Sequence, residues 1–203
     1  MTRNNKYKFI ILIFLFLLLI ILVTSNNINW LDNNIYNFLI GFKSELLTKI
    51  MKIITFFADP ITIISFCLIA GILYLLKYYL SIYLILTTII STFTNLLLKN
   101  VIRRDRPTIL RLVDASGYSF PSGHAMGSIC FYGFIIYMIK KSNINNKIKT
   151  TINTFLSILI FLIGLSRIYL GVHYASDIIG GFILGYIILV GIITLINKKE
   201  IKK

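Results

Sequence analysis

Long apolar runs alternate with short polar segments along this chain. Phe9–Val23, Ile61–Leu76, Leu80–Leu98, Ala125–Ile139, Ile152–Leu165 and Ile178–Ile196 contain almost no ionisable residue. A helix that crosses a bilayer takes about 20 apolar residues, with roughly 17–25 tolerated. Lipid offers backbone groups no partner, so such runs must be helical. The pattern predicts an all-α bundle of six transmembrane helices, over about 9–25, 60–76, 79–98, 122–139, 150–166 and 178–196. Between the first two, the Asn-rich stretch Ser25–Asn37 reads as a polar connection. Leu47, Ile50, Met51, Ile54 and Phe57 then recur on one helical face, predicting a short amphipathic interfacial helix that runs into the second span. Asp59-Pro60 marks the junction, because proline suits a helix start and disfavours helix at the residue before it. Lys77-Tyr78-Tyr79 predicts a tight turn with aromatic anchors. With no repeat and no Pro- or Ser-rich linker, residues 1–203 are expected to form one integral-membrane domain.

Composition agrees: 57% of the 203 residues are hydrophobic, more than the 45–50% apolar content of an average soluble chain. The basic start and first apolar run resemble a signal peptide. Thr24–Trp30 lacks a small-x-small cleavage site, however, so the run reads as an uncleaved first span. The net charge of +14 would suit nucleic acid, but its placement is that of a membrane protein. With the amino terminus in the cytoplasm, the inner segments carry twelve basic residues against one acid, and the outer segments nine against six. Such a bias orients a multi-pass protein, with both termini cytoplasmic, and it requires no nucleic-acid partner. The abundance of Ile, Asn and Lys points to an AT-rich bacterial genome. Cys67 and Cys130 both fall in predicted spans, so they make neither a disulfide framework nor a zinc site.

The ionisable residues that remain gather in two loops, Lys99–Pro121 and Ser166–Asp177. The loops are two connections apart, so they emerge on the same membrane face, which the charge bias makes extracytoplasmic. The only two histidines lie there: His124 opens the fourth span and His173 precedes the sixth. Phosphoryl transfer without a metal needs fixed cations and backbone donors around the equatorial oxygens. Lys99, Arg106 and Arg167 supply cations. Ser122 and the amides of Gly123 and His124 open a helix, where free N–H groups and the dipole favour an anion. A neutral His173 is a candidate nucleophile. Asp177, four residues on, would hold its other ring nitrogen, and His124 would protonate the leaving alcohol and later activate water. Arg103, Arg104 and Asp105 either adjust head-group preference or pair with one another in a solvated loop.

Lys99-x6-Arg106-Pro107, Pro121-Ser122-Gly123-His124 and Ser166-Arg167-x5-His173-x3-Asp177 together resemble the three-part signature of the type-2 phosphatidic acid phosphatase family. All three parts stand intact and in order, and the resemblance is weakest over the first 60 residues. It implies His173 as nucleophile, Asp177 as its partner, His124 as acid and base, and Lys99, Arg106, Ser122, Gly123 and Arg167 as the phosphate site. It also implies no metal and no cofactor. The implied substrates are lipid phosphates in the bilayer: phosphatidate, phosphatidylglycerophosphate, diacylglycerol pyrophosphate and polyprenyl diphosphates. The second motif reads Pro-Ser-Gly-His, not the Pro-Ser-Asp-His of some dedicated undecaprenyl-diphosphate phosphatases. That inclines the expectation toward the broad-specificity bacterial phosphatidylglycerophosphatases, with undecaprenyl diphosphate as the alternative substrate.

A transporter is the competing class. It would place ionisable groups in broken helices near the midplane, whereas these spans are nearly uncharged and their ionisable residues gather at one end. Gly181 and Gly185 form a Gly-x3-Gly pair in the sixth span, expected to serve helix packing within the chain ahead of dimerisation.

Overall fold

A computed structural model describes residues 3–76, 79–108 and 110–201. Among these the secondary structure is helical throughout: α1 (Arg3–Thr24), α2 (Asn29–Ile40), α3 (Glu45–Phe56), α4 (Pro60–Leu75), α5 (Leu80–Ile102), α6 (Gly123–Lys141), α7 (Asn146–Tyr169) and α8 (Ala175–Ile201). The predicted all-α bundle is therefore observed. Most of the Lys77-Tyr78-Tyr79 turn lies outside the described residues, as do Lys202 and Lys203.

Five stretches among the described residues are long and apolar enough to cross a membrane: Lys6–Thr24, Glu45–Leu73, Leu80–Ile102, Asn146–Tyr169 and Ala175–Lys199. The second of these takes in both α3 and α4. The expected count of six is not reproduced, because α6 does not qualify. It opens on Gly123-His124 and ends on Lys140-Lys141, which dilutes its apolar middle. α6 is instead the centre of the bundle, packed against α5, α7 and α8. Ala125, Met126, Cys130, Phe131, Tyr132 and Phe134 on it are buried, while Ile61, Leu75 and Val101 on α4 and α5 face outward.

The α6–α8 contact depends on small residues. A Cβ at Gly181 would stand 2.7 Å from the Ser122 carbonyl oxygen, and one at Gly185 would stand 2.8 Å from that of Met126. The Gly-x3-Gly pair thus lets α8 lie against the backbone of α6 within one chain, as expected.

Two expectations for the amino-terminal part need correction. The stretch read as a polar connection holds most of α2, whose Leu31, Ile35, Tyr36 and Leu39 pack inward. The amphipathic helix is present as α3, but only Leu47, Met51 and Ile54 of its predicted face turn toward the protein. Ile50 and Phe57 are exposed.

Candidate active site

The two polar loops meet. Arg106 Nη1 donates to the Val172 carbonyl at 2.8 Å, and the Leu112 amide donates to the Leu170 carbonyl at 3.0 Å. Between them Gly171 turns with φ +72°, and a Cβ there would fall 2.1 Å from the Leu110 carbonyl oxygen. Only glycine permits both the left-handed turn and this approach. Residues 103–108 and 110–122 are thereby clamped over the α7–α8 turn, bringing the three sequence motifs to one end of the bundle.

Lys99 and Arg167 belong to helices and not to the loops assigned to them. Lys99 lies in the last turn of α5 and Arg167 in the last turn of α7, so the helices fix both stems. Lys99 Nζ donates to the carbonyls of Tyr118 and Ser119. Arg167 Nη1 donates to Thr55 Oγ1 at 2.8 Å. Its Nε is buried with no protein partner, an unsatisfied donor of the kind that an anion would complete.

His173 sits in the turn before α8, and Asp177 lies in the first turn of that helix. Both are buried. His173 Nδ1 is 3.3 Å from Asp177 Oδ2. The same carboxylate oxygen accepts the Tyr174 amide at 2.8 Å and the hydroxyl of Ser119. The other ring nitrogen, Nε2, lies 3.2 Å from Arg106 Nη1. Burial, set against the attraction of Asp177, pushes His173 down to about 3, and the nearby charges of Arg106 and Lys99 act in the same direction. The imidazole is therefore neutral at pH 7, with the Nε2 lone pair turned to the cationic side of the site.

The far side of Asp177 is also built. Arg104 Nη1 donates to Asp177 Oδ1 at 2.7 Å, and its Nη2 donates to Asp32 Oδ2 at 2.7 Å. Asp32 accepts the amide and hydroxyl of Ser176 at 2.8 and 2.7 Å, and the Arg104 guanidinium lies 4.1 Å from the centre of the Tyr174 ring. Burial opposes the charge on Arg104, but Asp177 and Asp32 outweigh it and raise its pKa above the ordinary arginine value. Arg104 therefore pairs with neither Arg103 nor Asp105.

The Ser122 side chain caps α6 by accepting from the Ala125 amide, and the Ser122 amide donates to the Asp177 carbonyl at 3.0 Å. The amides that open the helix, those of Gly123 and His124, have no acceptor one turn back. A Cβ at Gly123 would meet Asn95 Oδ1 at 3.1 Å, and Asn95 donates to the Pro121 carbonyl at 3.0 Å. His124 Nε2 is 2.8 Å from Asp59 Oδ1, with Arg106 and Arg167 within electrostatic reach of its ring.

Asp32, Asp59, Thr55 and Ser119 join the site although they belong to none of the three sequence motifs. Only seven acids occur in the chain, so an isolated Asp32 in an uncharged segment and an Asp59 beside a span were available signals. Thr55 and Ser119 carried none.

A family model described as the PAP2 superfamily matches residues 78–201. Phosphatidylglycerophosphatase B of Bacillus subtilis is 31% identical over 185 residues, covering 90% of this chain and 91% of the relative. Lipid phosphate phosphatase delta of Arabidopsis thaliana is 30% identical over 88 residues, which is 42% of this chain and 21% of that protein. The crystal structure of a transmembrane PAP2-type phosphatidylglycerolphosphate phosphatase from Bacillus subtilis superposes with TM-score 0.87 at 29% identity, covering 95% of this chain and 97% of that one. Aquifex aeolicus LpxE shares the fold at TM-score 0.67 and 21% identity, over 81% and 95% of the two chains.

Proposed function

The chain belongs to the PAP2 superfamily, and on that premise we propose that it is a metal-independent lipid phosphate phosphatase that works through a phosphohistidine at His173. The observation that carries the proposal is the orientation of His173: Nδ1 is held 3.3 Å from a buried carboxylate, and Nε2 faces Arg106 at 3.2 Å. In the first step Nε2 attacks phosphorus and the bond to the lipid alcohol breaks. The alcohol leaves with a proton from His124. In the second step His124 takes a proton from water, whose oxygen attacks phosphorus, and the P–N bond breaks to release phosphate. Asp177 keeps the Nδ1–H tautomer and stabilises the cationic ring of the intermediate. Lys99, Arg106, Arg167, Ser122 and the Gly123 amide hold the equatorial oxygens, and the unpartnered Nε of Arg167 is one donor that phosphate would satisfy.

In this proposal residues 1–203 act as a single integral-membrane domain, and α6, shielded from lipid by its neighbours, is the fourth of six crossings. Lys140, Lys141, Lys147, Lys149, Lys198 and Lys199 lie at the other end of α6, α7 and α8 from the site. The positive-inside bias supports cytoplasmic termini and an extracytoplasmic site that lipids reach sideways from the bilayer. Phosphatidylglycerophosphate and phosphatidate are the proposed substrates, in keeping with the relative named above; undecaprenyl diphosphate is the second candidate. Phosphate release by the detergent-purified protein in excess chelator, from each of the three lipids, tests this. Chelator-resistant release is expected, fastest from the two phospholipids. No release from any of them by folded protein would refute the proposal.

A further inference from the structure

Asp59 lies between α3 and α4, immediately before Pro60. Its backbone is fixed from both sides. Its carbonyl accepts the Ile63 amide at 3.0 Å, and Tyr132 of α6 reaches across to donate to the Phe57 carbonyl at 2.6 Å. The α3–α4 junction is thus fastened to the helix that carries His124. The carboxylate then meets His124 Nε2 at 2.8 Å, while Nδ1 of the same ring has no protein partner among the described residues. The arrangement repeats, with the ring nitrogens exchanged, what Asp177 does for His173.

We propose that Asp59 is a positioning residue for His124: by accepting the Nε2–H it fixes the tautomer and ring plane that leave Nδ1 as the atom exchanging protons with substrate. This rests on the acid–base role of His124 proposed above. As the bond from phosphorus to the lipid oxygen breaks, the imidazolium Nδ1–H passes its proton to that oxygen and leaves a neutral ring. As water attacks the phosphohistidine, the neutral Nδ1 takes the proton back. An aspartate on Nε2 assists both steps, because the carboxylate stabilises the charged ring and forbids the tautomer with its proton on Nδ1 alone.

Leaving-group dependence distinguishes this role from a structural one. An alkoxide such as that of phosphatidate needs a proton to depart, whereas the phenolate of p-nitrophenyl phosphate does not. For a ping-pong phosphatase kcat/KM reports only the steps up to alcohol departure, so the shared hydrolysis of the intermediate does not enter. The experiment compares wild type, His124→Ala and Asp59→Asn on both substrates in detergent, with thermal denaturation checking the fold. Asp59→Asn is expected to lose about tenfold or more in kcat/KM on phosphatidate and less than about threefold on p-nitrophenyl phosphate, with His124→Ala showing the same selectivity more strongly. Selective loss in His124→Ala, with Asp59→Asn unchanged or falling equally on both substrates, would overturn the role of Asp59 and leave that of His124 standing. No selectivity in His124→Ala would remove the role of His124 and the proposal with it. If Asp59→Asn does not fold, Asp59→Glu is read in the same way, since its longer carboxylate displaces the ring without removing the charge.

Discussion

Arg104 holds the oxygen of Asp177 that His173 does not use, at 2.7 Å and with both groups largely shut off from solvent. The pair extends to Asp32, also at 2.7 Å from the guanidinium, so one arginine neutralises two carboxylates contributed by α2 and α8. Removing either partner of a buried ion pair leaves a charge with no compensation, which typically costs about 3–5 kcal/mol. Arg104→Ala is therefore expected to destabilise the protein by about 3 kcal/mol or more, read as a lower midpoint in denaturant. A shift within a few tenths of a kcal/mol of wild type, about what an exposed pair contributes, would show that the network carries no such weight.

Asp177→Asn preserves volume but loses the carboxylate that sets the tautomer of His173. In the serine-protease triad the equivalent change costs about 10⁴ in kcat. Here the Ser119 hydroxyl also lies 3.3 Å from His173 Nδ1 and supplies part of the orientation. The expected fall in kcat is about 10²- to 10⁴-fold, with KM little changed because the cations of the phosphate site remain in place. Steady-state kinetics on phosphatidate checks this. A loss confined to KM would instead make Asp177 a binding group.

The pH dependence of stability follows from burial of a neutral imidazole. His173 is held down to about 3 in the folded protein, against about 6.5 in an unfolded chain. Between these values the unfolded state binds the extra proton, so stability rises with pH. This contribution is complete above about pH 6.5 and is lost progressively as pH falls toward 3. Wild type should thus lose stability on acidification from pH 7 to 4 more steeply than His173→Gln, measured as the thermal midpoint at each pH. Parallel curves would mean that His173 is solvated or already charged.

Gly181 touches the α6 backbone just where Ser122 caps that helix. Gly181→Ala would drive a methyl against the Ser122 carbonyl, which cannot move like the end of a flexible side chain. Overpacking of this kind costs about 1–3 kcal/mol. Because Ser122 and Gly123 begin the proposed phosphate site, KM is expected to rise along with the loss of stability. Gly191→Ala on the same helix, where nothing lies within 4 Å of the added atom, is the matched control and should be neutral.

Much of this architecture was legible in the sequence because the bilayer imposes it. Long uncharged runs had to be helices, and helix ends two connections apart had to share a face. The signature residues could be named because phosphate chemistry restricts which side chains serve. The parts that escaped are those decided by tertiary contact. Ser25–Asn37 looks polar by composition, yet Leu31, Ile35 and Leu39 recur every four residues, a helical stripe that the surrounding asparagines obscured. Arg104 has two charged neighbours in sequence, Arg103 and Asp105, which made a local pairing one of two expectations beside a head-group contact. Its actual partners lie more than seventy positions away in either direction. The contact between Asp59 and His124 spans 65 positions and depends on how the α3–α4 junction is tied to α6, which no periodicity encodes. α6 itself was predicted as a span, but its polar opening belongs to the site and lowers the apolar content by which a crossing is recognised.

A phosphohistidine mechanism requires phosphorus to become bonded to His173 during turnover. Its most direct test is rapid alkaline quenching of the purified protein during hydrolysis of phosphatidate labelled with ³²P in the phosphate, followed by peptide mapping. An alkali-stable, acid-labile label is expected on the peptide containing His173, absent from His173→Ala. Label at another residue, or full hydrolytic activity in His173→Ala, would contradict it.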